Sequence, residues 1–146
     1  MTLDKEYKFD DFKINKENKL AFILSFAVAE QPGEKYSPLF ISGNEKERTH
    51  LMGAIANHVI ELFNYNVTYI NATEINKITN NIDVLLIDEL ESLSSTDESK
   101  LIGIIKQFQS NKKQIVLGGN KTLDELNISN KLKEIINWGM IVNIKK

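Results

Sequence analysis

The sequence predicts a three-layer α/β sandwich, in which helices cover both faces of a five-stranded parallel sheet. Two observations predict this fold class: five short apolar runs have strand character, and helical patterns separate them along the chain. The 146 residues include 42% hydrophobic and 26% charged side chains, an ordinary globular balance. Because no linker or internal repeat divides the chain, we expect one domain over residues 1–146, with residues 1–15 as an N-terminal arm.

Four stretches repeat apolar side chains at helical spacing. In the first, Leu20, Leu24 and Val28 recur along one side, and Pro32 followed by Gly33 ends the pattern. The second follows Gly43, and the third and fourth each precede a strand-like run. The predicted helices span residues 16–31, 48–63, 98–109 and 129–137.

Five short runs are rich in β-branched and other apolar residues, which is typical of buried strands. The run at 83–88 is the strongest, because four consecutive apolar residues lie between two aspartates. The predicted strands span residues 38–42, 67–70, 83–88, 114–118 and 140–144.

Composition excludes several classes of function. The net charge of −2 argues against a broad basic face for duplex DNA, since affinity for DNA comes largely from neutralised phosphates. The chain has no cysteine, so disulfides and thiolate metal sites are excluded. No apolar run approaches the roughly 18 residues of a membrane helix, and the first residues lack a signal-peptide pattern. We expect a cytoplasmic protein with no membrane partner.

The turn at residues 43–49 joins a strand to a helix, as phosphate-binding loops do. Such a loop is rich in glycine and ends in Gly-Lys-Ser/Thr, so that backbone amides, lysine and hydroxyl contact phosphates and Mg²⁺. Here Gly43 has no second glycine after it, and Arg48 precedes Thr49 in place of lysine. Glu45 and Glu47 add negative charge where phosphates would lie. Weak nucleotide binding, or none, is expected.

Two carboxylates, Asp88 and Glu89, end the third strand, where P-loop NTPases orient Mg²⁺ and water. Two interpretations are open: a metal-binding pair, or polar residues with a structural role. Arg48 is interpreted as a solvated surface residue and alternatively as a phosphate ligand.

For Trp138 we predict packing in the core. The rings of Tyr7, Phe9 and Phe12 are predicted to pack on the sheet edge, with an adenine clamp as the alternative, and no metal site is expected from His50 and His58.

Taken in order, several segments resemble the AAA+ domain of the bacterial replication initiator DnaA, and its short regulatory relative Hda. The resemblance covers Tyr7 to Ile144. It implies a P-loop NTPase core of the AAA+, RecA-like type. The segments that carry it are Tyr7–Phe12 with Asn18, Ala27–Ile41, Thr49–Ile55, Asp83–Leu93, Lys113–Leu117 and Trp138–Val142.

The resemblance implies a nucleotide site in which six residues are vestigial cofactor-binding positions: Gly43, Arg48, Thr49, Asp88, Glu89 and Asn120. Departures from the family concern the same function. Ile135 stands where the family has an arginine finger, and the 71–82 connection is too short for the family's DNA-contacting insertion. The helical lid and the DNA-binding domain are expected to be absent, because the sequence stops at Lys146.

The combination predicts a non-catalytic DnaA-like or Hda-like module with no cofactor and no catalytic residue. It would act through protein contacts, with DnaA or another AAA+ protein as partner, in regulating replication initiation. The alternative is a DnaA-related protein that retains ADP or ATP binding with Mg²⁺. Direct binding of DNA is not expected, because the chain lacks both the insertion and a basic surface.

Overall fold

A computed structural model of the chain describes residues 3–144 and has the predicted three-layer architecture. The strands are β1 (Leu39–Gly43), β2 (Val67–Asn71), β3 (Val84–Asp88), β4 (Gln114–Gly119) and β5 (Met140–Ile144). The α-helices are α1 (Lys19–Glu30), α2 (Glu45–Phe63), α3 (Glu98–Ser110) and α4 (Asn130–Ile136). Short 3₁₀ turns lie at Phe9–Asp11, Ala72–Lys77, Leu90–Ser92, Ser95–Asp97 and Leu123–Glu125.

All five strands are parallel, and their order across the sheet is β2-β3-β4-β1-β5. In this order β4 lies between β1 and β3. The carboxyl ends of these three strands therefore meet at one edge of the sheet, which is the carboxyl edge. In open parallel sheets this edge is where ligands bind.

Apolar side chains from both faces of the sheet form two cores. One core lies under α1 and α2 and includes Leu51, Ile55 and Val116. The other lies under α3 and α4 and includes Leu101, Ile105 and Leu117. Since both faces are covered, strands β1, β3 and β4 are buried along almost their whole length. No helix within residues 3–144 is long and apolar enough to cross a membrane.

The fold class and all five strands are confirmed, whereas the start of the second helix was predicted three residues too late. Helix α2 begins at Glu45, because the side chain of Asn44 accepts a hydrogen bond from the amide of Glu47 at 3.1 Å and caps the first turn. Asparagine is a preferred cap residue, so Asn44 is the local signal for the earlier start of the helix.

Residues of the predicted arm pack on helices and not on the sheet edge, which corrects that prediction. The ring of Phe9 contacts Phe22 and Phe26 of α1 edge-on, with ring centres 5.7 and 5.2 Å apart. It also contacts His58 of α2. These rings hold the arm in the groove between α1 and α2. Residues 1 and 2 of the predicted arm lie outside the described residues.

Trp138 is not part of the core, contrary to prediction. It lies in the turn between α4 and β5, and 51% of its surface is exposed. Helix α4 ends at Ile136, and its apolar side chains are buried, whereas the turn that follows lies outside the core. Because this turn leads into the amino end of β5, the indole lies at the opposite end of the sheet from the carboxyl edge.

Candidate functional site at the carboxyl edge of the sheet

A single residue, Asn44, separates strand β1 from helix α2, so no loop is present to surround a phosphate. Gly43, the last residue of β1, has φ +115°. A Cβ at this position would lie 2.2 Å from the backbone oxygen of Ile144, so the glycine allows β1 and β5 to approach each other. The conformation of Gly43 is thus accounted for by strand packing.

Arg48 is buried, with 1% of its surface exposed, and the interpretation as a solvated residue is wrong. Its Nε donates a hydrogen bond to Oδ1 of Asp88 at 2.8 Å, and its Nη1 donates to the backbone oxygen of Gly43 at 2.6 Å. The amide of Glu89 also donates to Asp88 Oδ1, at 2.8 Å. Arg48 and Asp88 form a buried ion pair that joins α2, β1 and β3.

Gly118 of β4 makes this ion pair possible. Strand β4 separates β1 from β3, so a guanidinium reaching from α2 to Asp88 must cross β4. A Cβ at Gly118 would lie 2.5 Å from Asp88 Oδ1 and 3.2 Å from Cδ of Arg48. The absence of a side chain at Gly118 leaves the space that the pair occupies. Gly118 and Arg48 are 70 positions apart, and no local pattern in the sequence connects them.

Beside the ion pair lies a group of acidic side chains. Burial raises the pKa of the Glu89 carboxyl, and the charges of Asp88, Glu91 and Glu45 raise it further. The Glu89 carboxylate accepts a hydrogen bond from the side-chain amide of Asn71. Glu89 has left-handed backbone angles, φ 56° and ψ 51°, which a residue with a side chain seldom adopts. A triphosphate at this edge would meet like charges.

Replacing Glu89 with glutamine is expected to stabilise the protein above neutral pH. The raised folded-state pKa means that the favourable, protonated form is lost as pH rises through that pKa, so ionised Glu89 opposes folding. Glutamine keeps an acceptor for Asn71 and removes the charge. Urea unfolding at pH 8 should show a gain of up to about 1 kcal/mol, the scale for partly solvated charges.

The gain in Glu89→Gln should shrink as pH falls through the raised pKa of Glu89 towards the ordinary value of 4.5, because the folded chain then increasingly carries a protonated, neutral group at this position. Glu98→Gln, at a carboxylate outside the acidic group, serves as the control. A gain that does not depend on pH would contradict the role given to the charge of Glu89.

The remaining sequence-predicted positions are less closely grouped. Thr49 lies half-buried on α2 beside Arg48, and Asn120 is exposed after β4. The amide of Asn120 donates to Glu91 Oε1 at 3.0 Å. Glu47 turns away from the edge, because its carboxylate accepts a hydrogen bond from the buried side-chain amide of Asn18. Of the two glutamates in the first turn of α2, Glu45 is the one whose charge raises the pKa of Glu89.

The histidines of α2 both have protein partners. Nε2 of His50 lies 2.7 Å from the backbone oxygen of Lys8, and Nε2 of His58 lies 3.0 Å from a carboxylate oxygen of Glu30. Within residues 3–144 no group of three or more histidine and acidic side chains is arranged to hold a metal ion.

Comparison with known proteins gives matches along almost the whole chain. The sequence model of the bacterial DnaA ATPase domain matches residues 3–143. The chain is similar to the chromosomal replication initiator DnaA of Streptococcus mutans, with 35% identity over 165 aligned residues. That alignment covers 97% of this chain and 36% of the relative, so the chain spans about a third of the relative's length. Because 165 aligned positions exceed the 146 residues of this chain, the relative has additional residues within the matched region.

Solved structures give the same assignment. The fold is similar to that of AMPPCP-bound DnaA from Aquifex aeolicus, with a TM-score of 0.91 and 25% identity, covering 99% of this chain and 52% of that one. A replication initiator DnaA bound to AMPPCP and single-stranded DNA gives a TM-score of 0.90 at 25% identity, covering 100% of this chain and 52% of that one. Sequence and fold agree, and the chain belongs to the family of the bacterial DnaA ATPase domain.

Proposed function

We propose that this chain is a non-catalytic DnaA-like module, which acts through protein contacts in the regulation of replication initiation. The buried ion pair between Arg48 and Asp88 carries the proposal. In P-loop NTPases the carboxylate at the end of this strand orients Mg²⁺. Here the same carboxylate is bound by a guanidinium from its own chain, at 2.8 Å.

Binding of a nucleotide with Mg²⁺ would require this pair to separate. Removing one partner of a buried ion pair typically costs about 3–5 kcal/mol, because the other charge is left uncompensated. The acidic side chains of Glu45, Glu89 and Glu91 would then face the phosphates. Both effects oppose binding of ATP and ADP.

The start of α2 also disfavours phosphate binding. A helix N-terminus attracts anions through its free amides and its dipole. In α2 the amide of Glu47 is already bound by Asn44, and two acidic residues, Glu45 and Glu47, lie in the first turn. The partial positive charge at the N-terminus of α2 is therefore balanced by acidic side chains of the same helix, which leaves less attraction for a phosphate.

The residue at the position of the family's arginine finger supports the same proposal. This residue is Ile135, which is buried in the core beneath α3 and α4. An aliphatic side chain in the core neither carries charge nor reaches a neighbouring subunit. A subunit without an open cleft and without a finger would terminate an AAA+ assembly that it joins, which is a means of regulating initiation.

The second candidate is residual binding of ADP or ATP. It is favoured by the similarity to two DnaA structures that contain AMPPCP and by the presence of Thr49 next to Arg48. Binding would use Thr49 and Asp88, with Arg48 moved out of the way. Isothermal titration calorimetry separates the two candidates.

We expect no binding of ADP or ATP in the presence of Mg²⁺ at concentrations up to millimolar. Micromolar binding of ADP that disappears in Thr49→Ala or Asp88→Ala and persists in the control Lys46→Ala would instead support the second candidate. Lys46 is an exposed residue on the same turn of α2, so its removal tests for unspecific effects.

The protein-contact role is tested with purified DnaA from the source organism. Analytical ultracentrifugation should show a complex of DnaA with this chain, and the chain should reduce ATP-dependent assembly of DnaA. An unrelated α/β domain of similar size is the control. Absence of a complex under ATP, ADP and nucleotide-free conditions would contradict the proposal.

Direct binding of single-stranded DNA is not expected. One similar DnaA structure contains single-stranded DNA. In this chain the link between β2 and β3 consists of a short 3₁₀ turn, Ala72–Lys77, and a few further residues. Binding to oligonucleotides that weakens steeply with added salt would contradict this expectation.

A further inference from the structure

We propose that a depression at the amino ends of the strands binds an acidic segment of a partner protein that carries an apolar side chain. The depression has a volume of about 570 Å³. Two aromatic residues, Tyr65 and Trp138, and two lysines, Lys35 and Lys112, line it. We call it the amino-edge depression. The inference rests on the proposed role in protein contacts and names the surface that makes them.

The two aromatic residues of the amino-edge depression are exposed to solvent. The exposed fractions are 51% for Trp138 and 41% for Tyr65. Tryptophan and tyrosine are the side chains most enriched at the centres of protein interfaces, because they bury large areas at a small cost in conformational entropy. Tyr65 stacks on Phe63, with ring centres 5.0 Å apart, which restricts its ring.

The backbone around the depression is held rigidly. The amide of Gly33 donates to the side-chain oxygen of buried Gln114 at 2.9 Å, and the Gln114 amide group donates to the backbone oxygen of Tyr36 at 2.7 Å. Ser37 Oγ donates to the backbone oxygen of Lys113 at 2.8 Å. Rigid surfaces lose little entropy on binding, so this construction suits recognition.

The backbone at Gly33 packs directly against the backbone at Lys112. Gly33 has φ +79°, and a Cβ there would lie 2.0 Å from the backbone oxygen of Lys112. The turn that carries Lys112 is therefore packed directly against the loop that carries Lys35. Both loops hold their lysines at the same depression as Tyr65 and Trp138.

Charge identifies the chemistry of the occupant. Lys35 and Lys112 provide two positive charges at the depression, and Glu34 provides one negative charge. An acidic segment of protein with an apolar side chain matches this pattern, with the apolar group on the rings and its carboxylates towards the lysines. A nucleic acid strand would bring a continuous row of phosphates past Glu34, which two lysines compensate poorly.

The occupant is identified by selection from a random dodecapeptide library displayed on phage, with the folded chain as bait. We expect enrichment of acidic peptides that contain an aromatic or aliphatic residue. Trp138 is the chain's single tryptophan. Binding of a selected peptide that lacks tryptophan should therefore change the fluorescence of Trp138 directly.

Affinities are then measured by anisotropy of the fluorescein-labelled peptide. Trp138→Ala and the pair Lys35→Glu/Lys112→Glu should each weaken binding at least about tenfold. The pair Lys16→Glu/Lys131→Glu changes the net charge equally at exposed positions elsewhere and should leave the affinity unchanged. Circular dichroism establishes that every variant is folded.

Three outcomes would overturn the proposal. The first is no enrichment of acidic peptides, and the second is a Lys35→Glu/Lys112→Glu variant that binds the peptide as tightly as the parent chain. The third is that oligo(dT) binds more tightly than the peptide and that its binding is lost in the same variants. The last would make the depression a nucleic acid site. Failure here is distinguishable from failure of the proposed function. A chain that contacts DnaA through another surface would still form the complex after Lys35→Glu/Lys112→Glu.

Discussion

Asp88→Ala is expected to lower the free energy of unfolding by about 3–5 kcal/mol, because it leaves the guanidinium of Arg48 buried without its counter-charge. Only 1% of the surface of Arg48 is exposed, and a Cβ at Gly118 would lie 3.2 Å from its Cδ, so solvent does not replace the lost counter-charge in the folded chain. Chemical denaturation followed by circular dichroism measures the loss.

A compensating variant distinguishes the ion pair from other effects at this position. Arg48→Met/Asp88→Asn removes both charges and keeps the approximate size of each side chain. Replacing a buried ion pair with neutral residues of similar volume is often neutral or stabilising, so most of the lost stability should return. Asp10→Ala, at an exposed aspartate, is the control.

The outcome bears on function as well as stability. If Asp88 served as a ligand for Mg²⁺ and had no structural role, its replacement would leave the free energy of unfolding of the nucleotide-free chain nearly unchanged. A loss below about 1 kcal/mol in Asp88→Ala, or a double variant as unstable as the single one, would contradict the structural role of the pair.

Gly43→Ala should destabilise the chain by about 3 kcal/mol or more, whether or not nucleotide is present. Two costs combine: an alanine at φ +115° is strained, and its Cβ would lie 2.2 Å from the backbone oxygen of Ile144. The pairing of β1 with β5 must therefore shift. Thermal unfolding with and without ADP measures the effect.

Gly103→Ala provides the matched control, because a Cβ at that position of α3 would meet no atom within 4 Å apart from the helix's own neighbouring backbone. It should be neutral or stabilising, since alanine has the higher helix propensity. Retention of full stability in Gly43→Ala would contradict the role of this glycine in strand packing and would favour a phosphate-loop function.

Local patterns in the sequence were sufficient for the layer architecture. Apolar runs such as 84–87 become strands buried on both faces, and helical spacing placed α1 and α3 to within three residues at each end. The DnaA resemblance rests on the same local segments and is confirmed. These features depend on neighbours in the sequence, which is why they were predictable.

The placement of individual side chains depends on residues distant in the sequence. Arg48 is buried because Asp88, forty positions away, and Gly118, on the strand between them, provide a counter-charge and a space. No periodicity of α2 encodes that space. A lone arginine near a helix start is typical of a solvated surface, and only the packing of three strands reverses that expectation.

Trp138 shows the opposite case. Its apolar ring predicted burial, yet the turn after α4 leaves it exposed beside the loops that carry Lys35 and Lys112. The sequence by itself determined the sheet, the helices and the acidic end of β3. The tertiary structure alone decided which charge is buried and which aromatic ring is exposed, because burial depends on what packs over a side chain, and that is set by distant segments.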